Sequence, residues 1–278
     1  MPEVNRLPKL SVVIPSYQQG TFIERTIRSI VDQGYPNLEL ILMDGGSTDE
    51  TMEIVGRYAQ YFAHVSSGPD GGQASAISKG FELATGDYIS WLNSDDTYSP
   101  GALLKVGEYL AAHPMVRFVY GDMNLIDRHD DLIAFKRSAK FSLGIMKYAF
   151  LTVPQMSAFW SRDLYNETNG VDPSLRFCMD YDLFVKMASR SAPVYINLSI
   201  GNFRIHSASK TTTLESVRQQ EDEMVRNRYC TVKPSRKLAF KALRFYYLMR
   251  LSILFIRNGS FLDRVRRRLS NNMRSECS

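Results

Sequence analysis

Cysteine is scarce in this chain: three residues among 278, none near another. Cys178, Cys230 and Cys277 form no CxxC pair and no zinc-ligand spacing, which excludes a disulfide framework and a structural zinc site and suits a reducing cytoplasm. No run of about twenty apolar residues occurs, so no membrane-spanning helix is expected. The first nine residues, MPEVNRLPK, lead straight into LSVVI, an apolar run too short for a secretory signal core. Internal repeats and low-complexity tracts are missing as well.

What the chain does have is an ordinary globular balance, 44% hydrophobic and 23% charged, enough to bury a core without covalent staples. Its net charge of +5 is unevenly placed. From Lys233 onward there are 12 Lys/Arg against two acids, whereas the preceding residues carry 22 against 27. A mildly acidic body with a basic tail points to an anionic surface met at one end only.

The first half alternates two patterns. Short, mostly apolar runs at 10–14, 38–43, 88–92 and 118–120 read as strands, the first as a buried parallel one, and a further short strand is read near 64–67. Between them, helical spacing follows Thr21/Glu24 and Ser47/Glu50, both at capping-box distance, then covers 73–84 and the stretch from Ser99-Pro100 to about Ala112. This alternation predicts an α/β fold whose parallel sheet is covered on both faces, with ligands beyond the carboxyl ends of the strands. In the second half, 132–137, 155–160 and 193–205 read as extended, and 161–169 and 179–190 as helices. Residues 214–229 read as an exposed helix, and a long helical segment begins at Ser235.

Chemistry concentrates at the strand-to-helix junctions. Asn93-Ser94-Asp95-Asp96 sets two adjacent carboxylates at the mouth of the sheet, where Mg²⁺ or Mn²⁺ could bridge protein oxygen to phosphate. A solvated Asp-Asp turn is the alternative reading of those four residues. Three further junctions, Pro15-Ser16-Tyr17, Asp44-Gly45-Gly46-Ser47-Thr48-Asp49 and Pro69-Asp70-Gly71-Gly72-Gln73, fall on the same predicted edge. Glycines there permit close backbone approach, and helix N-termini favour phosphate.

With these pieces in order, the chain resembles glycosyltransferase family 2, of GT-A fold. The matching stretches are SVVIPSYQQ, LMDGGSTDET, GPDGGQASAISKG, ATGDYISWLNSDDTYSPGAL and FCMDYDLFVKM, spanning roughly 10–206. The variants DGGSTD and LNSDD are similar to the branch that assembles bacterial surface polysaccharide. The resemblance implies a nucleotide-sugar donor, with UDP-sugar the first choice, and a glycan or lipid-linked glycan acceptor. Pro15, Ser16 and Tyr17 would line the nucleotide pocket, Asp44 would lie beside base or ribose, and Asp70 and Lys79 near ribose and diphosphate. Gly45 stands where many relatives carry a second acid that reads uracil, so the base stays open. Asp95 and Asp96 match the metal-binding acids, with Asp96 expected as the direct ligand and His206 as a further contact to Mn²⁺ or Mg²⁺. Asp180 matches the catalytic base of an inverting displacement, preceded by Met179 where many relatives have an acid; a helix-start acid held by the dipole is the other reading.

Arg204 could face phosphate, and Trp160 reads as core, with sugar stacking as its alternative; Gln155 falls near the acceptor side. The domain reading is a GT-A catalytic domain over 1–230 and a basic amphipathic helical tail over 231–278. The tail could rest on anionic lipid at the cytoplasmic face, or pack on the domain with a solvated basic face. No base-reading motif accompanies the charge, so nucleic acid is not expected. Two rival functions remain, a sugar-nucleotide nucleotidyltransferase and a non-catalytic nucleotide-sugar-binding module.

Overall fold

In the computed structural model, which describes residues 6–206, 215–232 and 237–257, the predicted α/β alternation is present. Strands β1 (Leu10–Ser16), β2 (Leu38–Asp44), β3 (Phe62–Ser67) and β4 (Tyr88–Trp91) pair in parallel in the order β3-β2-β1-β4. The connecting helices are α1 (Ile23–Val31), α2 (Thr51–Arg57) and α3 (Gln73–Leu83). β1 shows why the apolar runs become central strands. Leu10, Val12 and Ile14 enter one core with Ile23, Ile27 and Ile30 of α1, while Val13 enters the other with Ala76, Ile77 and Phe81 of α3. Burial on both faces removes any need for polar alternation. Gly80 lets α3 lie directly on the sheet: a Cβ there would stand 2.4 Å from Val13 Cγ1.

Beyond β4 the sheet becomes mixed. The two-residue strand β5 (Thr97–Tyr98) leads into helix α4 (Ala102–Ala112), followed by β6 (Phe118–Ile126), β7 (Leu132–Lys136) and α5 (Leu143–Tyr148). Then come β8 (Ala158–Ser161), α6 (Arg162–Asn166), α7 (Met179–Ala188) and β9 (Val194–Arg204). β8 joins β4 antiparallel, and the sheet continues as β8-β6-β9-β5, with β7 pairing off β6. β6 runs well past residue 120 because β9 and β7 pair with its far end. Trp160 is fully buried, 5.6 Å from the Trp91 ring and 5.8 Å from Phe81, so it is core.

Several local expectations are corrected. Thr21/Glu24 and Ser47/Glu50 form no capping boxes. α1 starts after Phe22 with no side-chain cap, and Glu24 instead accepts from the Tyr58 hydroxyl at 2.8 Å. Ser47 donates to Asp44, while Asp49 Oδ1 holds the Thr51 amide at 3.1 Å ahead of α2. α4 begins two residues after Pro100, because Gly101 takes a left-handed conformation first (φ 71°). Residues Gln155–Ser157 are a 3-10 turn before β8 rather than part of the strand.

Two helices complete the described chain, α8 (Glu215–Tyr229) and α9 (Lys237–Arg257). α8 is not the exposed helix expected from its polarity: Glu221 and Val225, one turn apart, are buried. α9 packs through Tyr247 and Leu248 onto Ala139, Ile145 and Ala149, with the Tyr247 ring stacked on Tyr148 at 5.4 Å. The basic residues beyond Arg257 lie outside the described residues.

Candidate functional site

The carboxyl ends of β1, β2 and β4 open into a cavity of about 970 Å³, as the junction loops predicted. Pro15, Ser16, Tyr17 and Gln19 line it from the loop after β1, and Gly45 from that after β2. Asp70 to Gln73 line it ahead of α3, and Asn93, Ser94 and Asp95 after β4. Gly71 and Gly72 take φ of 83° and 106°, values that side-chain-bearing residues seldom adopt. The chain can therefore turn sharply into α3 and leave the helix N-terminus against the cavity. The Tyr17 ring is 61% exposed, a flat apolar face beside these amides. A Cβ at Gly45 would lie 3.2 Å from Tyr17 and 3.3 Å from Asp70 Oδ2, so glycine keeps this wall open.

Two expected donor contacts stand elsewhere. Asp44 is buried behind the wall: its Oδ2 accepts from the Gly46 and Ser47 amides and Ser67 Oγ at 3.0, 2.8 and 2.6 Å. It organises the loop instead of facing the cavity. Lys79 is exposed off the lining, its Nζ 3.4 Å from the Asp70 carbonyl.

The paired acids separate in the same manner. Asp95 lines the cavity, and its Oδ2 lies 3.0 Å from His206 Nε2. Asp96 is withdrawn, 1% exposed; its oxygens accept from the Arg204 amide at 2.9 Å and Asn93 Nδ2 at 3.3 Å. Burial and the Asp95 charge push its carboxyl well above the usual range. Arg204 does not face the cavity. Fully buried, it donates to the Asp95 and Asp127 carbonyls at 2.6 and 3.0 Å and pairs with Asp130, locking the acidic loop to the end of β9.

The opposite wall comes from the second half of the chain. Gln155 lines it after donating to the Trp91 carbonyl at 2.6 Å, and Phe177, Met179 and Asp180 line it from the start of α7. Asp180 accepts the Tyr181 amide at 2.7 Å. Burial outweighs that bond and pushes its carboxyl up to about 6, with the Glu221 charge acting in the same direction. An acid with this affinity is neutral in weak acid and a competent proton acceptor at neutral pH. The other acid of this turn, Asp182, is fully buried between Lys186 at 2.8 Å and Arg228 at 2.6 Å.

Sequence reasoning missed the part of the lining that α8 supplies, Glu215 and Arg218, joined at 2.8 and 2.5 Å. Among the described lining residues Asp70, Asp95, Asp180 and Glu215 thus face a single guanidinium. Among the described residues no cluster of three or more His, Cys, Asp or Glu side chains forms a complete metal cage. The donor set that does converge, a carboxylate oxygen and an imidazole nitrogen at the cavity edge, fits a cation completed by a ligand's own oxygens. Mg²⁺ and Mn²⁺ are bound that way more readily than Ca²⁺.

The family described as Glycosyl transferase family 2 matches residues 11–163. A glycosyltransferase of Rickettsia typhi is 24% identical over 261 residues, 91% of this chain and 81% of its own. A PGL/p-HBAD biosynthesis glycosyltransferase of Mycobacterium bovis is 25% identical over 75% of this chain and 81% of its own. Among solved structures, S. aureus TarS 1-349 in complex with UDP-GlcNAc shares the fold with a TM-score of 0.65 at 16% identity, over 86% of this chain and 71% of that one. The mannosyltransferase PcManGT from Pyrobaculum calidifontis, in complex with GDP-Man and Mn²⁺, superposes with a TM-score of 0.59 at 18% identity, over 91% and 75%.

Proposed function

The chain belongs to glycosyl transferase family 2 and has its GT-A fold, and from that premise we propose an inverting transferase that moves a sugar from a nucleotide donor onto a glycan or lipid-linked glycan in cell-surface polysaccharide synthesis. The observation that carries this reading is one cavity with two chemically distinct walls. On one side are Tyr17, the glycine turn before α3 and Asp95; on the other is Asp180, an acid of raised proton affinity.

In this reading the nucleotide lies over Tyr17, with its diphosphate toward the α3 N-terminus and Asp95. Asp95 and His206 would hold Mn²⁺ or Mg²⁺, with Asp96 fixing the loop behind them. When bound, the cation offsets the negative charge of the diphosphate and of the departing nucleotide. The four-to-one excess of carboxylates in the lining supports that need, because a bare diphosphate would be repelled. Asp180 then takes the proton of an acceptor hydroxyl as its oxygen attacks the anomeric carbon, and a single displacement inverts the configuration. UDP-sugar is the first choice of donor, supported by the UDP-GlcNAc complex of a structural neighbour; GDP-mannose is bound by another.

α9 docks through Tyr247 and Leu248, and Leu238, Phe245, Met249 and Ile253, at helical spacing, form an exposed apolar stripe with Lys241, Arg244 and Arg250 also exposed. Among the described residues no helix is long and apolar enough to cross a membrane. Such a stripe among cations suits an anionic lipid surface, which would hold the enzyme peripherally at the cytoplasmic face beside a lipid-linked acceptor. Release of a nucleoside diphosphate from a panel of sugar nucleotides, with and without Mn²⁺ and an acceptor extract, tests the reaction. A panel in which no sugar nucleotide turns over would reject it.

A further inference from the structure

Glu221, on α8, is a buried carboxylate that this chemistry leaves without a role. It is 6% exposed, and no ion pair to it occurs among the described residues. Its partners are backbone amides: Oε1 accepts from Arg176 at 2.8 Å, and Oε2 from Phe177 and Cys178, each at 2.8 Å. These three residues lead directly into α7, with Cys178 at the N-cap. Amides at a helix start have no partner within the helix, and the dipole there favours an anion. A side chain from the following helix thus does what a local capping residue usually does.

The position matters because Asp180 is the second residue of α7, and Phe177 and Met179 on either side of the N-cap line the cavity. α8 grips α7 a second time through Arg228 and Tyr229, whose side chains reach Asp182 at 2.6 and 2.7 Å. Of the other charged groups around this turn, Asp222 pairs with Arg226, Arg218 with Glu215, and Asp182 with Lys186 and Arg228, while the Arg176 side chain is exposed and makes no ion pair among the described residues. No cation pairs with Glu221 among the described residues, and its negative charge acts on Asp180 in the same direction as burial, raising that carboxyl's proton affinity.

We infer that Glu221 is the positioning residue for Asp180, fixing the start of α7 so that the base faces the cavity and holding a negative charge next to it. The inference rests on the reading of Asp180 as the base, and the two fail in different ways. Melting temperature measured against pH for the parent and Asp180→Asn reports the Asp180 titration without any substrate, since the difference between the two grows as Asp180 ionises. The same pair made with Glu221→Gln should titrate at lower pH, because a neighbouring negative charge is gone. Amide exchange at 176–178 should accelerate, as a glutamine oxygen cannot accept all three bonds. Sugar-nucleotide turnover by Glu221→Gln should fall at least about tenfold in kcat with donor KM unchanged.

An unmoved midpoint, or a loss confined to KM, overturns the role of Glu221 while leaving Asp180 as the base. Full turnover by Asp180→Asn removes the base whatever Glu221 does. Should Glu221→Gln fail to fold, Glu221→Asp decides: it keeps the charge and shortens the reach, so exchange at 176–178 must quicken while the midpoint stays. Unchanged exchange there overturns the inference.

Discussion

Replacing Asp180 by Asn should make the protein more stable and almost inactive. The carboxyl titrates at about 6 against an ordinary 3.8, raised first by burial and further by Glu221. Two units correspond to about 3 kcal/mol of preference for the neutral form. The sign follows from proton uptake. Between about pH 4 and 6 the folded chain binds a proton that the unfolded chain has released, so stability falls as pH rises through that window. Above it the whole penalty for holding an ionised Asp180 is present. Asparagine has nearly the same shape and no charge, so it escapes the penalty. Screening by water in the open cavity reduces the gain to roughly 1–3 kcal/mol. That is about 2–10 °C of melting temperature at pH 8 for a chain of this size, closing to nothing near pH 4. Transfer should drop by about 10²- to 10⁴-fold, as expected on loss of a general base, with donor affinity nearly intact. Scanning fluorimetry across pH and a nucleotide-release assay read both effects. A melting temperature equal to the parent's at pH 8, or a gain independent of pH, would refute the burial argument; retained turnover would refute the role.

Other perturbations test the scaffold and the surface. Glu39 is buried at the base of the sheet, which opposes ionisation, but bonds from Lys9, Ser11 and Thr85 prevail and hold its carboxyl down at about 2. It contributes about 3 kcal/mol that is present above pH 4.5 and lost as pH falls toward 2, so Glu39→Gln should flatten the acid limb of the stability profile in urea titrations. Gly80→Ala should destabilise by about 1–3 kcal/mol through its clash with Val13, despite alanine's helix propensity, and adding Val13→Ala should restore part of the loss. Phe245→Glu with Ile253→Glu should abolish flotation with vesicles containing anionic lipid and leave the melting temperature near the parent's, since both side chains are exposed. Undiminished flotation would rule out the stripe as the contact.

The part of the fold visible in the sequence is the part with local causes. β1, β2 and β4 are buried on both faces, so each is a mostly apolar run, interrupted by Ser11, Glu39 and Ser90, whose position needs no partner to explain it. The order β8-β6-β9-β5 arises from pairings far apart in the chain, and a two-residue strand such as Thr97–Tyr98 has no period to read. The cavity divides in the same way. Pro15, Tyr17, Asp70 and Asp95 were legible as junction residues and do line it. Asp44 sits at an equivalent junction yet turns inward, because Ser47 and Ser67 supply donors behind the wall, and the Ser67 contact crosses strands. Asp95 and Asp96 are adjacent and face different ways. Which one meets the cavity depends on Arg204, more than a hundred residues downstream, whose amide claims Asp96. Glu215, Arg218 and Glu221 carry no motif at all. A polar helix reads as exposed until Val225 is seen to be buried and Glu221 to be covered by the amides of 176–178.

The most direct test of the donor site is a thermal-shift titration of UDP, GDP, dTDP and CMP, each with and without Mn²⁺, on the parent and on Asp95→Ala. A nucleotide at a hundred times its dissociation constant adds about 2.7 kcal/mol of stability. One nucleoside diphosphate should stabilise the parent with Mn²⁺, do so far less without it, and lose the metal-dependent gain in Asp95→Ala. Stabilisation that is equal with and without Mn²⁺, or that survives the loss of Asp95, would contradict a metal-bridged donor site built on Asp95.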